Sequence, residues 1–360
     1  MVWNDNGDRG DVLRQALERH GQMGPGQTAG RFWPAACVAL EVTQRCNLDC
    51  TLCDLSEQAE AAHDVPLPLL LQRVDAIARH YGRHTTIQIT GGDPTLRSVD
   101  DLIELCRHIR ARGLRSCLMT NGIRARRPVL TQLAQAGLDD VAFHVDMTQE
   151  RRGYGSENAL NAIRRAYLEQ ADGLGLRVMF NTTVFDGNLA ELPALARFFR
   201  EEADRIALAS FQLQTATGRG VLGGGSVTKV SVTAALEQGF ETSLGFGTAD
   251  VGHSDCTRYA ALFVAGETAV AALSDRLLFA RLLTAMEQHA QYSGIYVSVA
   301  RTVRAALVRR PWLTLRMLPY LAGKVWRLRA GLWRSRGRAA RLTVLLHDFM
   351  PAEAHEHARC

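Results

Sequence analysis

VALEVTQRCNLDCTLC, residues 38–53, decides how the rest of the chain is read. Its first part, VALEVT (38–43), is a short apolar run with β-branched residues, the pattern of a strand. Its second part sets Cys46, Cys50 and Cys53 on the loop that follows. Outward from this point, strand and helix patterns alternate. They run as helix 66–80, TTIQIT (85–90), helix 98–112, RSCLMT (115–120), helix 127–136, DDVAFHV (139–145), helix 156–172, RVMFNTTV (177–184), helix 189–203 and RIALASFQL (205–213). Short strands separated by helices pair in parallel through right-handed crossovers, with the helices covering one face. The expected fold is therefore α/β, a partial (β/α)6 TIM-like barrel over residues 36–215. Active sites of such barrels gather at the C-terminal ends of the strands, which is where the cysteine loop falls.

The flanks are less regular. Residues 1–35 hold one helical stretch, 8–20, followed by the glycine-rich GQMGPGQTAGR (21–31), and read as a leader or cap. Beyond residue 215 the βα rhythm stops. GRGVLGGGS (218–226) leads to YAALFVAGETAVAAL (259–273), a hairpin expected to turn at Gly266-Glu267, and then to a helix at 275–290. Residues 216–300 are thus an accessory region, and the whole C-terminal extension is expected to be α+β.

Composition excludes several classes. With 47% hydrophobic and 22% charged residues in 360, the chain is neither a disordered tail protein nor a fibrous one. No stretch of about 18 uncharged apolar residues occurs, as a membrane span would need. The opening MVWNDNGDRGD has acids where a secretory signal carries positive charge, so a cytoplasmic location is expected. Eight cysteines are too sparse for a disulfide scaffold. Cys37, Cys106 and Cys117 fall in or beside strand and helix patterns and are expected in the core.

Three thiolates within eight residues can wrap one iron–sulfur cube, whereas a [4Fe–4S] cluster held by cysteine alone takes four ligands. One iron would then stay open to a substrate or cofactor, as catalytic metals keep a vacant position. A zinc knuckle or three structural thiols are the alternatives. Zinc usually has a second CxxC or His pair nearby, and none precedes Cys106.

The spacing of Cys46, Cys50 and Cys53 resembles the CxxxCxxC signature of the radical SAM superfamily. TIQITGGDPTL (86–96) is similar to the glycine-rich segment after the second strand of that family, with Asp93 where many members have Glu. LMTNG (118–122) is similar to the segment after the third. The resemblance covers roughly residues 36–215. It implies that Cys46, Cys50 and Cys53 hold a [4Fe–4S] cluster whose open iron binds S-adenosylmethionine through its amino and carboxylate groups. It also implies reductive cleavage to a 5′-deoxyadenosyl radical, with an external electron donor of flavodoxin or ferredoxin type. The carbonyls of Gly91 and Gly92 would take the methionine ammonium, with Asp93 and Pro94 fixing the turn; a plain strand-to-helix turn is the alternative. From their places at strand ends, Asn121, Asp146, Asn181 and Gln212 are the candidates for ribose and adenine, beside His144, Thr183 and Gln214. Solvated loop residues, and for His144 a core position, are the other readings.

The chain is also similar, more loosely, to the tetraether-lipid-synthase and pterin-methylating type of that family. GHSDC (252–256) is similar to a His-Pro-x-Cys-like segment and HDFMPAEAHEHARC (347–360) to a carboxyl-terminal metal segment. Only Cys256 and Cys360 follow the barrel, with His253, His347, His355 and His357 as companions. They make either a second metal site or two unrelated thiols.

Forty of the 42 Lys and Arg residues are arginine, and Arg301 to Arg341 contains twelve basic residues and no acid. Pro311 and Pro319 are expected to break this segment into separate helices. Leu321, Val325, Leu328 and Leu332 share one face, with Lys324, Arg327 and Arg334 off it, a basic amphipathic pattern. Such a helix fits an anionic bilayer surface, giving an enzyme peripheral at the inner membrane face, or packs on the barrel with a solvated arginine side. No RNA-binding motif accompanies it, so nucleic acid is not an expected partner.

The expected function is radical modification of an unactivated position on a small, hydrophobic or lipid-like substrate. Aminocarboxypropyl transfer, peptide modification, and a non-catalytic iron–sulfur or zinc module docking on membrane or RNA are the alternatives.

Overall fold

The computed structural model describes residues 37–81, 85–215, 225–248, 257–287 and 299–348. Strands β1 (Cys37–Thr43), β2 (Thr86–Gly91), β3 (Arg115–Thr120), β4 (Asp140–His144), β5 (Arg177–Val184) and β6 (Ile206–Leu213) lie side by side in chain order. Each is parallel to the next. Between them run α1 (Leu67–Tyr81), α2 (Val99–Ala111), α3 (Arg127–Ala136), α4 (Asn161–Ala171) and α5 (Leu192–Glu201). The helices start where the sequence supplies caps. At α2 the Ser98 hydroxyl accepts from the Asp101 amide at 3.2 Å, and Asp100 and Asp101 sit in the positive first turn. The expected α/β barrel architecture is the one observed.

Aromatic contacts show which side of each strand meets the helices. Phe143 of β4 packs on Tyr167 of α4 with ring centroids 4.7 Å apart, and Phe180 of β5 and Phe211 of β6 each lie 5.9 Å from Phe199 of α5. Successive strand residues point to opposite faces. His144, Asn181, Thr183 and Gln212 therefore turn to the concave side. At the other end of the strands lies an ion network. The buried Asp140 carboxylate accepts from Arg177 Nε and Nη2 at 2.6 and 2.7 Å and from Arg115 Nη2 at 3.2 Å.

The extension adds to the same sheet. A hairpin of β7 (Thr257–Ala265) and β8 (Thr268–Ala271) turns at Gly266-Glu267 as expected. The sixfold reading missed β9 (Ala340–His347), which pairs parallel with β6 and antiparallel with β7. Among the described residues the sheet thus has nine strands in the order β1-β2-β3-β4-β5-β6-β9-β7-β8. Leu342, Val344 and Leu346 enter the main core, so a strand from beyond residue 300 completes that side of the barrel. Helix α6 (Lys229–Phe240) covers α5, while α7 (Arg276–Glu287), α8 (Val299–Arg309) and α9 (Pro311–Arg334) share a second core of Leu278, Phe279, Leu282 and Leu313.

Four expectations need correction. Helix 156–172 begins only at Asn161, because residues 156–160 form a turn held by tertiary bonds; the amides of Glu157 and Asn158 donate to Glu191. Pro319 does not end a helix: α9 runs through it for 24 residues. Pro319 and Leu315, whose carbonyl the proline leaves without a donor, are both exposed, so water can serve that carbonyl. The buried face of α9 is also not the 4-3-4 stripe. Leu321 and Val325 are exposed, while Leu313, Lys324, Leu328 and Gly331 are buried. Finally, Cys106 and Cys117 are buried, but Cys37 is exposed at the start of β1.

Gly331 lets α9 approach the hairpin, since a Cβ there would overlap the carbonyl of Ala265, whereas among the described residues nothing lies within 4 Å of a Cβ at Gly323. Gly331→Val should lower unfolding stability by about 1–3 kcal/mol. Gly323→Ala should leave it unchanged or raise it by up to about 1 kcal/mol. Denaturant titration of the two variants checks both.

Candidate active site

The cysteine loop is tied down from three directions. The amide of Gly92 donates to Thr43 O at 2.9 Å and that of Asp93 to Arg45 O at 2.8 Å, so the turn after β2 grips the start of the loop. Side chains at 91 and 92 would overlap the backbone of Thr43 and Arg45, and Gly91 has φ +127°, a conformation that excludes other residues on both counts. Arg45 pairs with Asp64 through Nε at 3.0 Å and Nη2 at 2.6 Å, holding the far limb. On the opposite side the Thr51 amide donates to Thr148 O at 2.8 Å, joining the loop to the segment after β4.

One carboxylate organises the junction. Asp93 is fully buried and accepts from the Thr95 amide (2.9 Å), the Thr95 hydroxyl (2.5 Å), the Thr120 hydroxyl (2.9 Å) and the Asn121 amide (2.9 Å). Asn121, fixed in this way, donates from Nδ2 to Asn47 Oδ1 at 2.7 Å and stands 4.0 Å from Cys46 Sγ. Arg151 braces the same corner, donating to Tyr167 Oη at 2.8 Å and to Asn121 O at 2.5 Å.

Beside the loop stands a second buried carboxylate. Asp146 accepts from the amides of Thr148 (2.9 Å) and Thr183 (2.7 Å) and lies 2.6 Å from His144 Nε2. Burial pushes its pKa up, but the charge and hydrogen bond of His144, with the bonds from Thr148 and Thr183, hold it at about 2. Burial draws the His144 imidazole down, and the adjacent Asp146 more than offsets this, leaving its pKa raised. Behind the pair, Arg164 is buried against Glu157 and donates to Val145 O at 2.7 Å, while Asn188 donates to Glu157 at 2.9 Å. On the facing strand Asn181 is buried and its Oδ1 has no hydrogen-bond partner among the described residues. An unsatisfied buried acceptor on the concave side suits a donor from a bound molecule.

Cys46, Cys50 and Cys53 are half-buried on this loop. Burial, with Asp146, Cys53 and Cys46 nearby, pushes the Cys50 thiol up to about 12, so its thiolate requires a cationic group among the three. Among the described residues no three His, Cys, Asp or Glu side chains converge to hold a single metal ion. All three are free thiols on one clamped loop, the donor type that an iron–sulfur cluster takes, one to an iron. Residues 40–199 match the family model of the radical SAM superfamily. Over that stretch, a little under half of the chain, it is similar to the radical SAM superfamily.

Similar curated proteins include PqqA peptide cyclases. That of Xanthomonas euvesicatoria pv. vesicatoria (strain 85-10) is 31% identical over 190 residues, covering 50% of this chain and 48% of the relative. That of Methylobacterium nodulans is 34% identical over 159 residues, covering 43% and 41%. The chain spans about half the length of the curated relatives it matches. Among solved structures, Streptococcus suis SuiB bound to S-adenosylmethionine aligns with a TM-score of 0.47 at 13% identity, covering 63% of this chain and 50% of that one. SuiB bound to its precursor peptide SuiA aligns at 0.42 and 14%, covering 57% and 43%.

Within the radical SAM domain the expected residues fall into two groups. Gly91, Gly92, Asp93, Pro94 and Asn121 gather at the cysteine loop. Asp146, His144, Thr183 and Asn181 gather across the ends of β4 and β5, and Gln212 lies one strand further, in register with His347. Asp146 is wholly enclosed and presents His144, rather than its own oxygens, to the concave side. Arg151 and the buried Arg164–Glu157 pair escaped the sequence reading, because nothing in the local pattern marks residues whose partners lie on other elements. Cys256 and Cys360, with His253, His355 and His357, lie outside the described residues.

Asp93→Ala leaves several buried donors without an acceptor and should cost about 3–5 kcal/mol in unfolding stability. The His144–Asp146 pair sets a pH window. A raised histidine stabilises below its ordinary pKa of about 6.5 and loses that contribution as pH climbs through its folded value. A depressed aspartate contributes above about 3.9 and loses it as pH falls toward its folded value. The iron-free chain should therefore be most stable between roughly pH 4 and 6.5 as far as this pair is concerned. In Asp146→Asn the His144 ring, followed by NMR, should titrate lower than in the parent chain.

Proposed function

We propose that the chain is a radical SAM enzyme that uses Cys46, Cys50 and Cys53 to hold a [4Fe–4S] cluster and seats S-adenosylmethionine on the concave side between that loop and the ends of β4 to β6. The observation that carries this is the placement of three half-buried thiols on a loop clamped by the Gly91–Asp93 turn, on the same side as the unsatisfied amide oxygen of Asn181. Cys46, Cys50 and Cys53 would hold the cluster, and the chemistry it would supply, with an external flavodoxin- or ferredoxin-type donor as reductant, is one-electron cleavage of the sulfonium into methionine and a 5′-deoxyadenosyl radical that can take hydrogen from an unactivated carbon.

The chain's own residues bind and exclude. The carbonyls at Gly91 and Gly92 accept from the methionine ammonium, with Asp93 and Pro94 keeping that turn in place. Asn181 Oδ1 accepts from the adenine amino group or a ribose hydroxyl, with Gln212 beside it, and Asn121 fixes Asn47 against the loop. The Asp140–Arg177–Arg115 network ties β3, β4 and β5 together at the opposite end of the strands.

The substrate we propose is a small hydrophobic or lipid-like molecule, in keeping with the apolar and cationic outer face of α9. Peptide modification is the second reading, favoured by the similarity to PqqA peptide cyclases, with residues 216–300 as its accessory region.

Anaerobically reconstituted protein should carry about four irons per chain. It should yield 5′-deoxyadenosine with dithionite and S-adenosylmethionine, and the triple alanine variant at Cys46, Cys50 and Cys53 should do neither. Zinc in place of iron would overturn the reading, and methylthioadenosine as the product would replace it with aminocarboxypropyl transfer. Asn181→Ala should keep its iron and bind S-adenosylmethionine about tenfold more weakly, the loss of one buried hydrogen bond. Deuterium appearing in 5′-deoxyadenosine from perdeuterated phospholipid, and not from perdeuterated peptide, would select the lipid-like substrate.

A further inference from the structure

Helix α9 is apolar on two opposite sides, and the described residues cover only one of them. On the inner side Leu313, Leu328 and Gly331 are buried, Tyr320 Oη donates to Ala272 O at 2.6 Å and Lys324 Nζ to Ser274 Oγ at 2.5 Å. On the outer side Leu315, Leu318, Val325, Trp326 and Trp333 are 70, 60, 58, 66 and 86% exposed. At 1.5 Å per residue this stripe is about 27 Å long. Arg316, Arg327, Arg329 and Arg334 are exposed along it, and no acid occurs between Arg301 and Arg341. The Arg329 guanidinium lies 4.1 Å from the centre of the Trp326 ring, pairing cation and indole at one level.

We infer that this outer face of α9 docks on an anionic lipid bilayer, lying in the plane of the interface with its tryptophans and leucines among the acyl chains and its arginines at the phosphates. A solvated helix face would carry charge in place of Leu and Trp. A second copy of the chain is a poor occupant, because a two-fold contact sets each patch against itself and would bring arginine to arginine, with Glu267, 3.6 Å from Arg334, offsetting a single charge. An anionic bilayer supplies both the apolar phase and the missing negative charge. Among the described residues no helix is long and apolar enough to cross a membrane, so α9 lies on the surface. Tryptophan favours that depth, one side apolar and the ring nitrogen wet. Such docking brings a hydrophobic substrate to the enzyme, and in that respect it rests on the function proposed above; the binding itself depends on α9 alone.

Vesicle flotation of the full reconstituted chain tests it. The protein should float with phosphatidylcholine vesicles containing phosphatidylglycerol, and far less with phosphatidylcholine alone or at high salt. Neutralising Arg316, Arg327 and Arg329 together to Gln should weaken binding about a hundredfold, from about fivefold for each basic residue. Trp326→Ser with Trp333→Ser should also abolish flotation, and neither set touches the core. No flotation, equal flotation of the arginine variant, or Trp-dependent dimerisation in the ultracentrifuge without vesicle binding would overturn the inference. 5′-Deoxyadenosine formation without vesicles should be the same in the parent chain and both variants. Its loss in all three would strike the proposed chemistry and leave the docking result standing.

Discussion

The buried carboxylate of Asp93 is the constraint on which the site depends. Donors from the ends of β2 and β3 converge on it, and the neighbouring amides of Gly92 and Asp93 hold the backbone of Thr43 and Arg45. A cysteine loop needs such restraint, because a flexible loop would lose much of its binding free energy to ordering each time it took up a cluster. The same junction fixes Asn121, and through Asn47 it reaches the residue next to Cys46. Backbone, turn and ligand loop are one hydrogen-bonded unit.

The parallel register then decides what else reaches that unit. Because neighbouring strands run the same way, their C-terminal ends meet at one edge, and strand alternation sends His144, Asn181, Thr183 and Gln212 to the concave side while Phe143, Phe180 and Phe211 pack outward. The resulting surface is polar near the cysteines and carries an ion network at its base. Asn181 keeps an acceptor without a partner, while Asp146 is satisfied on every side and orients His144.

Much of this was legible. VALEVT, TIQITGGDPTL and LMTNG announce a strand, a loop and a glycine turn in local chemistry, and each lies where its pattern implied. The carboxylate at 93 was visible; two of its four donors were not, since Thr120 and Asn121 lie 27 and 28 residues away. In α9 the periodicity misled, because a helix apolar on two opposite sides offers more than one good stripe. The choice fell to Gly331, which alone lets the Ala265 backbone approach, and to Lys324, which reaches Ser274 from a buried position.

What the amino-acid sequence by itself determined is the succession of strands and helices, the cysteine spacing and the concentration of arginine near the C-terminus, for these are local or countable properties. Only the tertiary structure decided that β9 returns from beyond residue 339 to pair with β6, that Asn181 is left with an open acceptor, and that the tryptophans at 326 and 333 face outward. Those outcomes depend on which distant surfaces exclude water from one another, and no window of neighbouring residues contains that information.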